Sequence, residues 1–179
     1  MFNDKELLVQ FNKGVFPKIH DNIFKRIISL EHKGTILDLC CCYGLLAERL
    51  NMHGLKTIGV ERDYTYIHSA KKRNISTNIY NVDVLKQMKE LTRIISLNNC
   101  TTLVLRRCLP ELFGDDTNAG YSFFEEMYNL NIDTLIIEGR IYSKRTTNKV
   151  GDINREINLC ISYFNLVNLS NNIAVLTRK

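Results

Sequence analysis

The chain has 179 residues, 45% of them hydrophobic and 24% charged, which suits one globular domain and argues against disorder or a repeat array. Twenty-four basic residues against nineteen acidic ones leave a net charge of +5, compatible with nucleic acid or an anionic metabolite and demanding neither. Asp4, Lys5 and Glu6 stand where a signal peptide needs an apolar run, and no uncharged apolar stretch approaches the roughly 18 residues of a membrane span, so a soluble cytoplasmic protein is expected.

Residues 4–30 read as helix, with Ile19, Ile23, Phe24, Ile27 and Ile28 on one face and Pro17 suited to a first turn. Residues 1–33 are read as an N-terminal helical extension and 34–179 as one compact domain. "TILDLC" (35–40) reads as a short apolar strand, and "GLLAERLNMHG" as a helix closed by Gly54. A second strand follows at 56–61, a helix at 63–73 and a third strand at 77–83. The segment 84–97 places Leu85, Met88, Leu91 and Ile95 on one helical stripe. Then come a strand at 101–106, a helix at 121–130, a strand at 133–139, and a helix at 152–162 with Ile153, Ile157 and Ile161 on one face. "FNLVNLS" and "NIAVLTR" flank Asn171 and Asn172, a pair suited to a tight hairpin turn.

Strands alternating with helices predict an α/β fold. The expected architecture is a single Rossmann-like three-layer domain with a seven-stranded, mostly parallel sheet. Its last strand is antiparallel.

In such sheets ligands bind beyond the carboxyl ends of the strands, near the point where strand order reverses. "LDLCCCYG" lies at such an end. Glycine is favoured there because it takes positive φ and lets the backbone approach a ligand. Gly44 keeps that capacity, and Cys40 and Cys42 occupy the other two places as compact substitutes. A zinc reading fails on spacing: Cys40, Cys41 and Cys42 are adjacent, Cys100, Cys108 and Cys160 stand alone, and paired ligands are absent. In a reducing compartment disulfides are not expected either. Glu61 ends the second strand about twenty residues past the turn, where a carboxylate can accept both hydroxyls of a ribose. Asp83 ends the third strand in the same way. Taken singly, Asp38 reads as a cap, Glu61 as a solvated strand end and Asp83 as a helix N-cap.

Together these residues resemble class I S-adenosylmethionine-dependent methyltransferases. "ILDLCCCYG" follows that family's acid and Gly-x-Gly-x-Gly turn, with Cys40 and Cys42 in the first two glycine places. "TIGVERDYTYIHSAKKRN" matches its second motif, Asp83 and Val84 its third, and the terminal hairpin its reversed last strand. The resemblance covers roughly residues 19–179. It implies S-adenosylmethionine as cofactor. Asp38 and the turn with Cys40, Cys42 and Gly44 would hold its methionine moiety, Glu61 the ribose hydroxyls, and Asp83 with Val84 the adenine, and Arg106 is counted among the cofactor-binding residues. Arg62 stands where the family has an apolar residue and would stack its guanidinium on the ring.

The acceptor is approached by exclusion. "RRCLPELF" after strand four lacks the Pro-Pro-aromatic motif of DNA amino-methylating enzymes, the Pro-Cys nucleophile of cytosine-C5 enzymes and the histidine base of some O-methyltransferases. His20, His32, His53 and His68 read as surface residues. Arg106 and Arg107 at the cleft mouth would hold a carboxylate or phosphate with forked hydrogen bonds. Arg140, Lys144, Arg145 and Lys149 form a basic rim with the footprint of a nucleic-acid binder, or of a solvated loop. The expectation is methyl transfer to an anionic small molecule or nucleic acid, with no residue assigned as catalytic base. The alternative is a catalytically silent protein of the same fold that uses its basic rim to bind a partner. A nicotinamide-dependent oxidoreductase is disfavoured because its Gly-x-Gly-x-x-Gly turn is missing.

Overall fold

The computed structural model describes residues 9–11, 13–139 and 152–179. A short 3-10 turn at Lys18–His20 leads into α1 (Asp21–Ile28). There follow β1 (Thr35–Leu39), α2 (Leu45–Met52), β2 (Thr57–Glu61), α3 (Tyr64–Lys72), β3 (Ile79–Asn81), α4 (Met88–Asn98) and β4 (Cys100–Arg106). The remainder is α5 (Leu109–Phe113), α6 (Thr117–Asn129), β5 (Thr134–Glu138), α7 (Ile153–Asn158), β6 (Phe164–Ser170) and β7 (Ile173–Arg178). The seven strands form one sheet in the order β3-β2-β1-β4-β5-β7-β6. Pairing is parallel from β3 to β5 and antiparallel on both sides of β7. That is the expected sheet.

Successive strand residues point to opposite faces, and each face carries its own core. Leu37, Leu39, Leu103, Leu105, Leu135 and Ile137 pack against α4, α5, α6 and α7 through Leu91, Ile95, Leu109, Phe124 and Ile157. On the other face Ile36, Val104, Ile136 and Ile173 meet Ile23 and Ile27 of α1 and Leu46 and Leu50 of α2. Ile23 and Ile27 are fully buried, each contributing roughly 1.5–3 kcal/mol through burial. They fix α1 over β4 and β5. The Arg49–Asp21 ion pair, 2.7 Å, ties the first turn of α1 to α2. Glu48 of α2 accepts from Ser76 Oγ and from the Thr77 amide and hydroxyl, anchoring the approach to β3.

Order reverses between β1 and β4, so the carboxyl ends of those strands flank the switch point. Asn171 and Asn172 both take positive φ, 51° and 60°, the conformation that lets a two-residue turn match the twist of β6 and β7.

The helices depart from the sequence expectation in several places, among them the helix expected at 121–130, which begins at Thr117. The N-terminal helix is not continuous: Gly14 takes φ 73°, and Pro17, at φ −58° and ψ 126°, is extended before the 3-10 turn. The expected stretch 4–8 lies outside the described residues. The helix expected from residue 84 begins at Met88, because Asp83 Oδ1 accepts from the Leu85 amide and Gln87 Oε1 from the Asp83 amide. These local bonds hold a turn, and Leu85 is exposed rather than on the stripe. The helix at 152–162 ends at Asn158, and Ile161 is exposed. A short helix, α5, forms at Leu109–Phe113 with Pro110 in its first turn, where a missing N–H costs nothing.

Candidate functional site

Asp38 is buried near the end of β1, 3% exposed, and shares its sheet face with Ile36 and hence with the α1–α2 layer. Burial pushes its carboxyl up to about 7; Arg106 opposes that rise and the Glu61 carboxylate adds to it. Beyond it the chain makes an alternating turn. Cys40, Cys42 and Gly44 have φ of 58°, 52° and 69°. All three places where the resemblance puts glycine are therefore left-handed, including the two filled by cysteine. A left-handed residue with a Cβ costs roughly 1–2 kcal/mol, so this turn is held by its surroundings.

Three bonds do the holding. The Cys41 amide donates to Val60 O at 3.1 Å and the Gly44 amide to Cys41 O at 2.9 Å. The Cys42 amide donates to Glu61 Oε2 at 2.9 Å. The Cys41 side chain turns onto β2, where Gly59 leaves room for it: a Cβ on Gly59 would stand 2.6 Å from Cys41 Sγ. Burial, then Asp38 and Glu61, hold the Cys41 thiol well above its ordinary value. Cys108, at the start of α5, is buried with its Sγ 3.9 Å from Leu39 O. A hydrogen bond with Cys40, then burial, keeps that thiol protonated. All six cysteines are free thiols. Among the described residues no group of three or more His, Cys, Asp or Glu is arranged to hold a metal.

Glu61 is 6% exposed. Its Oε1 accepts from the Asp63 amide at 2.9 Å. With one amide on each oxygen, the carboxylate retains two further acceptor positions, the number that a vicinal diol requires. Asp63 caps α3 by accepting from the Thr65 amide at 2.8 Å. Arg62 is exposed beside it, and its carbonyl accepts from Asn81 Nδ2. Asp83 lies one strand away, bonded to the Leu85 amide and 3.7 Å from Lys86 Nζ. The Val84 side chain belongs to the main core with Val60 and Val82.

Arg106 and Arg107 are not open forks. Both converge on Glu138, 5% exposed at the end of β5. Arg107 donates from Nε to Glu138 Oε1 at 2.8 Å, and its Nη2 is 2.6 Å from the same oxygen. Arg106 Nε stands 2.9 Å from Oε2 but out of line, so that Nε, Nη2 and Oε2 are buried without a hydrogen bond. Arg107 takes φ 56°, a strained conformation at the exit of β4. Arg140, Lys144, Arg145 and Lys149 lie outside the described residues.

The site thus brings Asp38, Cys40, Cys42, Gly44, Glu61 and Arg106 to adjoining strand ends around the switch point. Sequence reasoning missed two of its members. Glu138 closes an apolar strand just as Glu61 does, and that signal could have found it. His20, read as a surface residue, is 6% exposed and has its Nδ1 buried without a partner; only the docking of α1 determines this. His32 bonds to Ile27 O and Thr102 Oγ1, while His53 and His68 are exposed.

No protein-family model matches the chain, and no curated protein matches it in sequence. Solved structures do match it in fold. A TehB-like SAM-dependent methyltransferase from Corynebacterium glutamicum superposes with a TM-score of 0.66 at 13% identity, covering 98% of this chain and 96% of that one. The glycopeptide N-methyltransferase MtfA, complexed with S-adenosyl-L-homocysteine, gives 0.65 at 8% identity, covering 89% and 90%. The N-methyltransferase NodS from Bradyrhizobium japonicum gives 0.61 at 16% identity, covering 89% and 98%. The chain has the class I SAM-dependent methyltransferase fold.

Proposed function

We propose that this chain is an S-adenosylmethionine-dependent methyltransferase whose acceptor is a nucleic acid or an anionic small molecule. The observation that carries the cofactor reading is Glu61, a buried carboxylate locked to the glycine-type turn and keeping two acceptor positions. That is what a ribose diol needs at the end of β2. Asp38, the Cys40–Gly44 turn and Arg106 would hold the methionine end, with Asp83, Val84 and Arg62 around the adenine. The cofactor, when bound, supplies an already activated methyl group. The chain's task is then to align the acceptor rather than to activate the methyl, and alignment supplies the rate.

The nucleic-acid reading rests on the net charge and on the basic residues between 140 and 149 in the sequence. Arg106 and Arg107 add little to it, since both are turned onto Glu138. The left-handed Cys40 and Cys42, whose side chains stand where the family has none, favour a second reading: a protein of this fold that binds a partner and performs no chemistry. The described residues contain no helix long and apolar enough to cross a membrane, and a cytoplasmic location is proposed with the function.

Calorimetric titration with S-adenosylhomocysteine, with NADH as control, tests the cofactor. Transfer of label from tritiated S-adenosylmethionine to DNA or RNA tests the chemistry. Binding to nucleic acid should weaken steeply with salt, and Lys144→Ala with Arg145→Ala should flatten that slope without changing cofactor affinity. Tight S-adenosylhomocysteine binding with no transfer to any acceptor would favour the non-catalytic reading.

A further inference from the structure

The helix after Glu61 has two different faces. Tyr66 and Ala70 seat α3 on Tyr43, Leu45 and Ile75, so the helix is fixed to the turn that carries Cys42 and Gly44. The opposite side presents Tyr64, His68, Lys71 and Lys72, spaced i, i+4, i+7 and i+8 and therefore within one arc of the helix. All four are exposed. Tyr64 is 60% exposed, and its ring stacks on the His68 imidazole at 6.1 Å and 24°. Arg62 stands just before the first turn, and Arg73 is the C-cap residue. From Tyr64 to Val82 the sequence holds no acid. The exposed acid beside this face, Asp63, accepts from the Thr65 amide and hydroxyl. Cations in a last turn are favoured by the helix dipole, which accounts for Lys71 and Lys72 but not for an exposed aromatic pair in line with them.

We infer that the outer face of α3 is a binding surface for single-stranded nucleic acid, with bases stacking on Tyr64 and phosphates lying against Lys71 and Lys72. The inference rests on the nucleic-acid reading of the acceptor and adds the surface that carries the strand. It draws nothing from the basic residues between 140 and 149. The face is cationic, which matches a polyanion. An exposed ring among cations is a platform on which unpaired bases stack whatever their sequence. In a duplex the base faces are already covered by their neighbours, so the tyrosine favours single strands. Tyr64 follows Asp63, whose amide Glu61 holds at 2.9 Å. The ring therefore stands at the carboxyl end of β2, beside the candidate ribose site. Lys72 lies about 12 Å further along the helix axis. A strand on this face runs from the rim of the cofactor cleft toward the amino ends of the sheet.

The test measures fluorescence anisotropy of labelled oligonucleotides with the full chain at several salt concentrations. The probes are mixed-sequence single-stranded RNA and DNA and a hairpin duplex. Single strands should bind at least about tenfold more tightly than the duplex. Tyr64→Ala should weaken single-strand binding about tenfold with the salt slope unchanged, and Tyr64→Phe should retain it. Lys71→Ala with Lys72→Ala should reduce the salt slope by about 1.4 and weaken all sequences alike. Heparin, a polyanion without bases, should respond to the lysine pair and not to Tyr64→Ala. The chain contains no tryptophan, so Tyr64→Trp supplies a single reporter whose emission should be quenched when a strand is added. S-adenosylhomocysteine affinity and the melting point should stay near wild type in every variant, because the substituted side chains are exposed. Wild-type binding of single strands that none of these substitutions changes overturns the inference and leaves the nucleic-acid reading standing. Equal loss of heparin and strand binding in Tyr64→Ala, or no preference for single strands over duplex, also overturns it. A wild type that binds no probe at low salt overturns the nucleic-acid reading and the inference with it.

Discussion

The carboxylate of Glu61 accepts a 2.9 Å hydrogen bond from the backbone amide of Cys42, which joins the end of β2 to the turn after β1. One side chain thus serves both the fold and the candidate ribose site. Its second oxygen fixes the Asp63 amide and with it the entry to α3.

Replacing Glu61 separates these duties. Glu61→Ala leaves two partly exposed amides without their acceptor and should destabilise the protein by roughly 1 kcal/mol, while S-adenosylhomocysteine affinity falls about tenfold or more. Glu61→Gln keeps one acceptor and should recover more stability than affinity, since its amide nitrogen cannot accept from a hydroxyl. Calorimetry and urea denaturation on both variants check this, and unchanged affinity in Glu61→Ala would exclude the ribose assignment.

The two left-handed cysteines should tolerate glycine. Cys42→Gly removes strain and adds flexibility to the unfolded chain, effects of opposite sign and each about 1 kcal/mol. Stability should change by less than about 1 kcal/mol, and S-adenosylhomocysteine should bind at least as well. Cys42→Val, whose branched side chain resists positive φ, should be clearly destabilised. Chelators should affect none of these proteins, and stoichiometric zinc by metal analysis would contradict the reading of these cysteines as glycine substitutes.

Gly59→Ala drives a methyl group into Cys41 Sγ, 2.6 Å away, with Cys41 Cβ and Ile79 at 3.3 Å. Overpacking of this kind costs about 1–3 kcal/mol. Adding Cys41→Ala removes the sulfur and should restore most of the loss, a coupling measurable in a double-mutant cycle. Equal stability of Gly59→Ala and wild type would mean that the β2 strand yields where the packing says it does not.

Asp38 and His20 should pull stability in opposite directions as pH changes. Asp38 binds its proton more tightly when folded, about 7 against 3.8, so its contribution is full below 3.8 and is lost as pH rises toward 7. His20 binds its proton less tightly when folded, about 3 against 6.5. Its contribution is therefore full above 6.5 and is lost as pH falls toward 3. Between 3.8 and 6.5 the two slopes oppose each other. Asp38→Asn should leave stability rising with pH across that window, and His20→Gln should leave it falling. Urea midpoints at several pH values read both, and parallel profiles in the two variants would refute the assignment.

The strands were legible because apolar runs such as "TILDL" and "TLIIE" end in acids or turns at regular intervals. The acids at 38, 61 and 83 were legible for the same reason. The turn at 83–87 was hidden because Leu85, Met88 and Leu91 fit a helical stripe, while side-chain bonds of Asp83 and Gln87 override the pattern locally. The state of Arg106 and Arg107 was hidden too. Their engagement depends on Glu138, which parallel pairing places opposite Arg106 although 32 residues separate them. The burial of His20 depends on the seating of α1, a tertiary event with no local signature.

Eight non-glycine residues among those described take positive φ, and all but Arg107 are asparagines or cysteines closing tight corners, at Cys40, Cys42, Asn74, Asn99, Asn131, Asn171 and Asn172. Each carries strain in the folded chain, and each also denies the unfolded chain the freedom that glycine would give it. The first effect is an energy and changes little with temperature, whereas the second is an entropy and is multiplied by temperature. On warming, these corners therefore become progressively less unfavourable relative to glycine. Glycine replacements at them should look best in cold measurements and lose their advantage as the melting point is approached.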